Sequence, residues 1–419
     1  MASELSRAST RVDPGDLVRR RFPIVALVLS SLASVALAPT AARSGPTDRA
    51  QVVDGENQMG IDLFRALRPA NASDNLVVSP FAVAQTLEAM AAASRGTTRT
   101  ELLSTLHIPP TLALDRVLDS SRNLRDELGE LPGQVKQIGL IARDQSVSIS
   151  PIFQRLMREQ LDQRPLAKDF AAPDQVRADI NQTVSDLSGL KNPIMEDGTL
   201  PAGSKLLAVG SFSLRATWQQ PLAGGGDLAF RRLDARSVNA RKLSTGPGGI
   251  AAGYLKSAGF QAVVVPYLGG RVALLLIVPE PGKFTAVEQS LSSTKIFDIL
   301  IRARRTAVDL ELPAFGFGTR IPNLRDAIAP FGARAVFARS RADLTPLSSN
   351  RQLAFDVVVA QTVINVESGG TDEAAGSVPL RGGTAAEKVV VNGPFVFAVV
   401  DRPTGALLEL GRVVDPTQS

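Results

Sequence analysis

Near the carboxyl terminus, residues 394–413 read PFVFAVVDRPTGALLELGRV. Residues 395–400 and 407–413 of this segment are largely apolar and of strand length, which predicts two buried strands. Five further runs of this kind precede them, at 263–266, 272–278, 308–312, 357–366 and 389–391. The first two of the five are separated by Leu-Gly-Gly-Arg at 268–271, which predicts a tight turn between neighbouring strands. The middle and end of the chain are therefore predicted to form β-sheet.

The first third of the chain has the periodicity of helices. Met59, Leu63 and Leu67 recur at helical spacing before a proline, which predicts a first helix. Ser79-Pro80 predicts the start of a second helix, because serine caps free amides and proline fits the first turn. Thr97 or Thr98 could then cap a third helix. Helices followed by strands predict an α+β domain in which mostly antiparallel sheets carry helices.

Composition excludes several function classes. The 419 residues are 44% hydrophobic and 21% charged, which argues against wholesale disorder, collagen and a multi-span membrane protein. The chain has no cysteine and one histidine, His107, so zinc ribbons, cysteine nucleophiles and multi-histidine metal sites are excluded. We therefore expect no metal and no cofactor. The net charge of +5 is too small for a nucleic-acid partner.

The amino terminus has the order of an export signal. Arg19, Arg20 and Arg21 precede an apolar stretch at 22–38, and small residues follow up to residue 42. We expect a signal peptide over residues 1–42, a short flexible lead over 43–54 and one domain over 55–416. The protein is therefore predicted to be secreted or otherwise extracytoplasmic, with membrane contact only if the amino-terminal segment is retained as an anchor.

No self-sufficient catalytic constellation is found. Ser292-Ser-Thr-Lys295 has the Ser-x-x-Lys form of penicillin-binding enzymes, but their companion motifs are absent. A serine triad would have to use His107, which we expect to cap a helix end or face solvent. Arg302, Arg304 and Arg305 form a small basic cluster that is typical of a solvated helix face. We therefore predict no catalytic residue and no enzyme.

Many short motifs along the chain resemble those of serpins, and they occur in the family's order. They include NLVVSP at 75–80, GTT at 96–98, VPY at 265–267, ELPAF at 311–315, EAAG at 373–376, PFVF at 394–397, PTG at 403–405 and GRV at 411–413. The resemblance covers about residues 55 to 416. It implies a single α+β domain of three mostly antiparallel sheets and eight or nine helices, with an exposed reactive-centre loop at about 368–388. The chain is similar to a bacterial-type exported member.

The resemblance implies a protease inhibitor that acts as a suicide substrate. The target protease cleaves the loop and is trapped covalently as the loop inserts into the main sheet; the alternative is a non-inhibitory serpin that serves as a binding, carrier or chaperone-like protein. Insertion needs small hinge residues, and the candidates are Gly370, Thr371, Ala374, Ala375, Gly376 and Ser377. Two frames stay open. Counting from Ala374 turns Ala374, Gly376, Val378 and Leu380 inward, whereas counting from Gly370 turns Glu373 inward, where an unpaired carboxylate is costly.

The reactive bond is predicted between Thr384 and Ala385, with cleavage after Gly383 or Arg381 as alternatives. Small residues there suit a serine protease with a shallow pocket, of the elastase-like or subtilisin-like kind. A trypsin-like enzyme is the less favoured partner, because Arg381 lies early and would shorten the insertable strand. We expect a monomer.

Ser79, Asn181 and Trp218 are assigned by the resemblance to the region where the main sheet opens. For each, an ordinary reading competes: a helix cap, a polar contact and a core aromatic. Three positions depart from the family pattern, because Ala82, Gly210 and Ala360 replace a common serine, asparagine and histidine. These departures favour the non-inhibitory alternative.

Overall fold

A computed structural model describes residues 46–68, 73–131, 134–246, 248–370 and 386–418, without the side chains of residues 46 and 134. These residues fall in one unit, Ala42–Ser419. In these ranges there are nine α-helices, namely Pro46–Leu67 (α1), Pro80–Ala92 (α2), Gly96–Thr105 (α3), Leu114–Gly129 (α4), Pro151–Leu161 (α5), Pro173–Ser188 (α6), Phe284–Gln289 (α7), Ser293–Arg302 (α8) and Leu324–Ile328 (α9). None of the described helices has the length and hydrophobicity to cross a membrane.

The start of the domain differs from the prediction. Helix α1 begins at Pro46, so the flexible lead predicted over 43–54 is wrong from residue 46 onward. Val52 and Val53 are 1% and 5% exposed, because this first part of the helix already packs against the hydrophobic core. The burial of two valines favours an ordered helix over a free lead, since each contributes about 1.5 to 3 kcal/mol when fully buried.

The predicted starts of α2 and α3 have different outcomes. Ser79 caps α2, because its Oγ accepts a hydrogen bond from the Ala82 amide at 3.0 Å. No side-chain cap is found at α3, where Thr98 Oγ1 instead accepts from the Asp343 amide at 3.0 Å. The threonine cap predicted for α3 is therefore wrong, because its hydroxyl is used in a contact between distant parts of the chain.

Fifteen strands are described. They are Leu76–Val78 (β1), Gln134–Asp144 (β2), Leu166–Lys168 (β3), Leu206–Arg215 (β4), Ala223–Arg231 (β5), Ser237–Ser244 (β6), Ile250–Ser257 (β7), Phe260–Pro266 (β8), Val272–Pro279 (β9), Arg304–Pro313 (β10), Phe315–Ile321 (β11), Val357–Val366 (β12), Glu387–Val390 (β13), Phe395–Asp401 (β14) and Ala406–Val413 (β15). All seven predicted apolar runs fall on strands, except that the run at 389–391 extends one residue beyond β13, and β8 and β9 form the predicted antiparallel pair.

Hydrogen bonding joins these strands into a five-stranded sheet and a ten-stranded sheet. The five-stranded sheet has the order β11-β12-β4-β2-β3, and the ten-stranded path runs β1-β15-β14-β9-β8-β7-β10-β6-β5, with β13 paired to β10. Strand β10 pairs with β7 through its first half and with β6 through its last residues. It thereby links two parts of the larger sheet, so the three expected sheets form two continuous ones. The predicted α+β class with mostly antiparallel sheets is confirmed.

The carboxyl-terminal segment 394–413 forms β14 and β15, which lie in the middle of the protein. Every residue of both strands is buried, so both faces of this part of the sheet are covered. A Cβ atom at Gly411 would lie 2.4 Å from the Phe397 ring and 2.6 Å from the Leu76 carbonyl oxygen. Glycine is therefore required in this motif because a phenylalanine and a neighbouring backbone occupy the space of a side chain.

Helices α1, α2 and α4 enclose a pair of carboxyl groups. The Ser121 hydroxyl lies 2.6 Å from Glu88 Oε1 and 3.1 Å from Glu56 Oε1, and all three residues are buried. Burial raises the pKa of Glu56, and burial together with the neighbouring Glu56 carboxylate raises the pKa of Glu88 well above its usual value. The folded state therefore favours a form in which at least one of the two carboxyl groups keeps its proton.

Glu88→Gln should make the stability less dependent on pH. A carboxyl group with a raised pKa binds more protons in the folded state, so wild-type stability falls as pH rises through the raised pKa. We expect the wild type to lose about 1 to 3 kcal/mol between about pH 5 and pH 9 from this pair, the usual cost of an unsatisfied buried group. Urea unfolding at both pH values measures the slope. Glu159→Gln, at an exposed position on α5, is the control, and equal slopes in all three proteins would contradict the assignment.

Candidate functional site

Strands β4 and β12 lie side by side in the five-stranded sheet and are parallel. Their register pairs Val357 with Leu207 and continues to Val363 opposite Ser213. Both outer neighbours, β2 and β11, are antiparallel to the strands that they contact. We call this parallel contact the β4–β12 seam. It is the place where a chain returning from the end of β12 would meet two strands of the same direction.

The chain reverses direction directly after β12. The Glu367 amide donates to the Gly370 carbonyl oxygen at 2.7 Å, and the Gly370 amide donates back to Glu367 at 3.1 Å. Gly370 has a φ of +139°, and a Cβ atom there would lie 2.0 Å from the Ala216 carbonyl oxygen. Only glycine fits this position. Gly370 also forms an antiparallel bridge to Thr217, just beyond β4, so it lies between continuations of the two seam strands.

Trp218 holds this turn through two hydrogen bonds. Its indole Nε1 donates to the Glu367 carbonyl oxygen at 2.8 Å, and its backbone amide donates to Gly369 at 3.1 Å. The indole stacks on Tyr267 with the ring centroids 4.5 Å apart, and each residue is 1% exposed. Burial raises the pKa of the Tyr267 phenol well above its usual value, so the ring stays neutral. Trp218 is thus both a core aromatic and a direct hydrogen-bond donor to the backbone of the turn at 367–370.

An ion pair also holds this turn. Arg241 of β6 pairs with the Glu367 carboxylate, and the Leu222 amide donates to the Ser368 carbonyl oxygen at 3.2 Å. The contact joins the end of β12 to a strand of the other sheet. The turn at 367–370 is therefore bound by both sheets. The sequence interpretation missed Arg241, Glu367 and the role of Tyr267, of which only Tyr267 lay in a recognised motif.

Ser79 and Asn181 make their hydrogen bonds away from the turn at 367–370. Besides capping α2, the Ser79 hydroxyl donates to the Leu408 carbonyl oxygen at 2.7 Å, which ties the helix to β15. Asn181 of α6 exchanges two hydrogen bonds of 2.9 Å with the backbone of Met195. Of the three residues proposed for the opening region, the described contacts place only Trp218 on the turn.

The seam is closely packed beneath its centre. Gly139, Gly210 and Ala360 lie in one cross-strand row, and a Cβ atom at Gly210 would lie 2.5 Å from Thr86 Oγ1 and 3.2 Å from the Ala82 carbonyl oxygen of α2. The departures at Ala82, Gly210 and Ala360 therefore belong to a tight contact between α2 and the seam.

Other candidates lie elsewhere. His107 Nε2 contacts Asp62 Oδ2 of α1 at 2.9 Å, and no serine hydroxyl is among its hydrogen bonds in the described residues. The same residues hold no cluster of three acidic or histidine side chains that could bind a metal. The remaining predicted hinge and reactive-bond residues lie outside the described ranges. These are Thr371, Ala374, Ala375, Gly376, Ser377, Arg381, Gly383, Thr384 and Ala385.

Comparison with known proteins identifies the family. The family model for Serpin (serine protease inhibitor) matches residues 54–416. Leukocyte elastase inhibitor from Bos taurus is 24% identical over 385 residues, covering 87% of this chain and 100% of the relative. Protein Z-dependent protease inhibitor from Homo sapiens is 25% identical over 386 residues, covering 88% and 84%. An uncharacterised serpin-like protein from Thermococcus kodakarensis is 25% identical over 391 residues, covering 87% and 86%.

A solved structure shares the fold. The complex of thyroxine-binding globulin with thyroxine superposes with a TM-score of 0.79 at 18% identity, covering 88% of this chain and 100% of that one. The strand order around the β4–β12 seam and the match of the family model over most of the chain lead to one conclusion. The chain belongs to the serpin family.

Proposed function

We propose that this serpin inhibits a serine protease as a suicide substrate and has no catalytic residue of its own. The observation that carries the proposal is the position of Gly370, which bridges Glu367 and Thr217 at the open end of the β4–β12 seam. A strand that continued from Gly370 would run antiparallel to both neighbours. One parallel ladder would be replaced by two antiparallel ladders, which are slightly more stable per residue.

The register of such a strand can be counted from the described bridges. The pairs 367 with 370 and 217 with 370 extend to place residue 374 opposite Val363 and Ser213. Val363 and Ser213 are already partners across the seam, so both counts give the same register. In this continuous register Glu373 falls opposite Ile364 and Leu214, whose side chains belong to the inner hydrophobic cluster. The register supports the frame counted from Gly370, with Glu373 opposing insertion.

We propose Thr384-Ala385 as the reactive bond, with Arg381 and Gly383 as alternatives, and a target of elastase-like or subtilisin-like specificity. Two of the relatives are named as inhibitors of an elastase or another protease, which supports a protease as partner. We also propose export through the amino-terminal segment, as a bacterial-type member, because Arg19 to Arg21 precede an apolar stretch.

Incubation with elastase, subtilisin and trypsin should give a denaturant-resistant adduct with the first two. Mass spectrometry of the released fragment should give a new amino terminus at Ala385. Thr384→Arg should shift adduct formation from elastase to trypsin, because a trypsin-like pocket requires a basic residue. If neither the wild type nor Thr384→Arg forms an adduct, and clipped chain is the only product, the proposal of inhibition is contradicted.

A cavity favours the second candidate, a carrier of a small ligand. It has a volume of about 680 Å³ and lies between α1, α4, α8 and the β14–β15 turn, with Val53, Phe297 and Pro403 among its apolar lining. Ligand sites commonly have about 300 to 1,000 Å³. Thyroxine-binding globulin, which shares the fold, binds thyroxine. Saturable binding of thyroxine that Phe297→Ser weakens, with no adduct to any protease, would favour this function over inhibition.

A further inference from the structure

A second cavity lies at the carboxyl-terminal end of α8. It has a volume of about 410 Å³ and is formed by the end of α8, the start of β10 and the turns β8–β9 and β14–β15. Ala252, Val264 and Leu300 provide apolar lining, whereas Gln219, Arg305 and Arg402 provide polar groups. The cavity therefore combines an apolar wall with cationic groups in a space large enough for a small molecule.

The charges of this cavity are not balanced by the protein. No aspartate or glutamate is among its lining residues. Arg402 Nη1 donates to the Gly270 carbonyl oxygen at 2.9 Å, and no carboxylate of the described ranges pairs with it. The Arg305 side chain forms no ion pair or hydrogen bond with any residue that the structure describes. Arg302, by contrast, is paired with Asp298 at 3.1 Å one helical turn earlier.

The arginine cluster of the sequence is thus divided between two environments, because Arg302 and Arg304 line one depression and Arg305 lines this cavity. Arg302 ends α8, and Arg304 and Arg305 begin β10 opposite Tyr254 and Gly253. Successive strand residues point to opposite faces, so only Arg305 reaches this cavity, while Arg304 lines a separate depression with Lys256. Arg304 and Arg305 are exposed, as predicted, but the prediction of a helix face is wrong for them because the helix ends at Arg302.

We propose that this cavity binds a small amphipathic anion. A sulfonate, carboxylate or phosphate group would lie between Arg305 and Arg402, and a short apolar body would contact Ala252, Val264 and Leu300. Arginine suits such a headgroup because its guanidinium donates paired hydrogen bonds to planar and tetrahedral oxyanions. The concave apolar wall favours a free molecule over a membrane surface.

The structure provides a built-in reporter for this site. Gln219 lines the cavity and directly follows Trp218, the single tryptophan of the chain. The Gln219 amide donates to Pro266 at 3.0 Å, and Pro266 also lines the cavity. Occupancy of the cavity should therefore change the fluorescence of Trp218. This readout does not depend on whether the protein inhibits any protease.

The test is a fluorescence titration of the full chain with hexanesulfonate, repeated by calorimetry. We expect saturable binding, and binding weaker by about tenfold or more for inorganic sulfate and for 1-hexanol, which each lack half of the ligand. Arg305→Gln and Arg402→Gln should each weaken hexanesulfonate binding by about tenfold, the loss expected for one charge-assisted hydrogen bond. Arg304→Gln is the matched control and should leave the affinity unchanged.

Four results of the binding titrations would overturn the proposal. They are absence of saturable binding, equal affinity for sulfate alone, equal affinity for 1-hexanol, and equal weakening by Arg304→Gln. Arg305→Lys, which keeps the charge, should retain part of the affinity, and circular dichroism of each variant verifies the fold. Co-sedimentation with phosphatidylglycerol vesicles that hexanesulfonate does not reduce would assign the arginines to a membrane surface and also contradict the proposal.

Discussion

Cleavage in the reactive loop should raise the midpoint of thermal unfolding by tens of degrees. If the segment after Gly370 enters the β4–β12 seam, about ten residues gain backbone hydrogen bonds to strands on both sides. At roughly 1 kcal/mol for each hydrogen bond, the total gain is on the order of 10 kcal/mol. The intact chain contains the seam as a direct β4–β12 pair, so this free energy is released only on insertion.

Two variants test the register as well as the insertion. Glu373→Ala should raise the midpoint of the clipped form further, because the continuous register turns residue 373 toward Ile364 and Leu214. Asp372→Ala is the matched control. Residue 372 would fall opposite Asn365 and Arg215, on the other face of the sheet, and we expect little change.

The measurement is calorimetry of intact and clipped samples of the three proteins, with the nick located by mass spectrometry. Any protease that cuts between Arg381 and Ala385 can be used, so the experiment does not require the natural target. Equal midpoints for intact and clipped wild type would disprove insertion. A larger effect of Asp372→Ala than of Glu373→Ala would disprove the register counted from Gly370 but would leave insertion itself in place.

Arg412→Met should destabilise the protein by about 3 to 5 kcal/mol, the usual result of removing one partner of a buried ion pair. Arg412 lies 3.1 Å from Glu288, and the two side chains are 3% and 4% exposed. Its Nε also donates to the Asp74 carbonyl oxygen at 3.0 Å. The variant would leave Glu288 in the core with only the longer contact to Arg68, at 3.6 Å.

Urea unfolding of the variant measures this loss. Arg302→Met is the control, because Arg302 and Asp298 are both more than half exposed and form a pair that contributes about 0 to 1 kcal/mol. A loss for Arg412→Met no larger than for the control would show that the buried pair is replaced by other contacts. Glu288→Gln tests the same pair from the other partner and should also be destabilising.

Much of the fold could be predicted because local patterns and tertiary structure agree there. The apolar run at 357–366 is strand β12 over the same residues, and Ser79-Pro80 starts α2. The prediction failed where side chains serve distant partners. Glu101 accepts hydrogen bonds from the Arg334 and Ala335 amides at 2.9 and 2.6 Å, and no spacing rule along the chain indicates such a contact.

The glycine that the backbone turn requires could be predicted, but the side-chain contacts that hold the turn in place could not. Gly370 is among the hinge candidates predicted from the sequence, and its positive φ and close approach to Ala216 explain the residue type. The ion pair between Arg241 and Glu367 joins residues 126 positions apart on different sheets. A pattern search along one chain has no means to find this pair, because neither residue has an unusual neighbourhood in sequence.

The β4–β12 seam also bears on how two copies of the protein could associate. β4 and β12 are paired directly, so an extended segment could enter only if the two strands separate, and their edges would then present unpaired backbone hydrogen-bonding groups. In the proposed insertion, the covalent tether at Gly370 would give the chain's own segment an advantage, equivalent to a millimolar local concentration on the usual scale for short tethers. When the protein concentration approaches that value, the same segment of a second molecule would compete for insertion between β4 and β12. Polymer growth would then depend on the concentration at which the sample is kept.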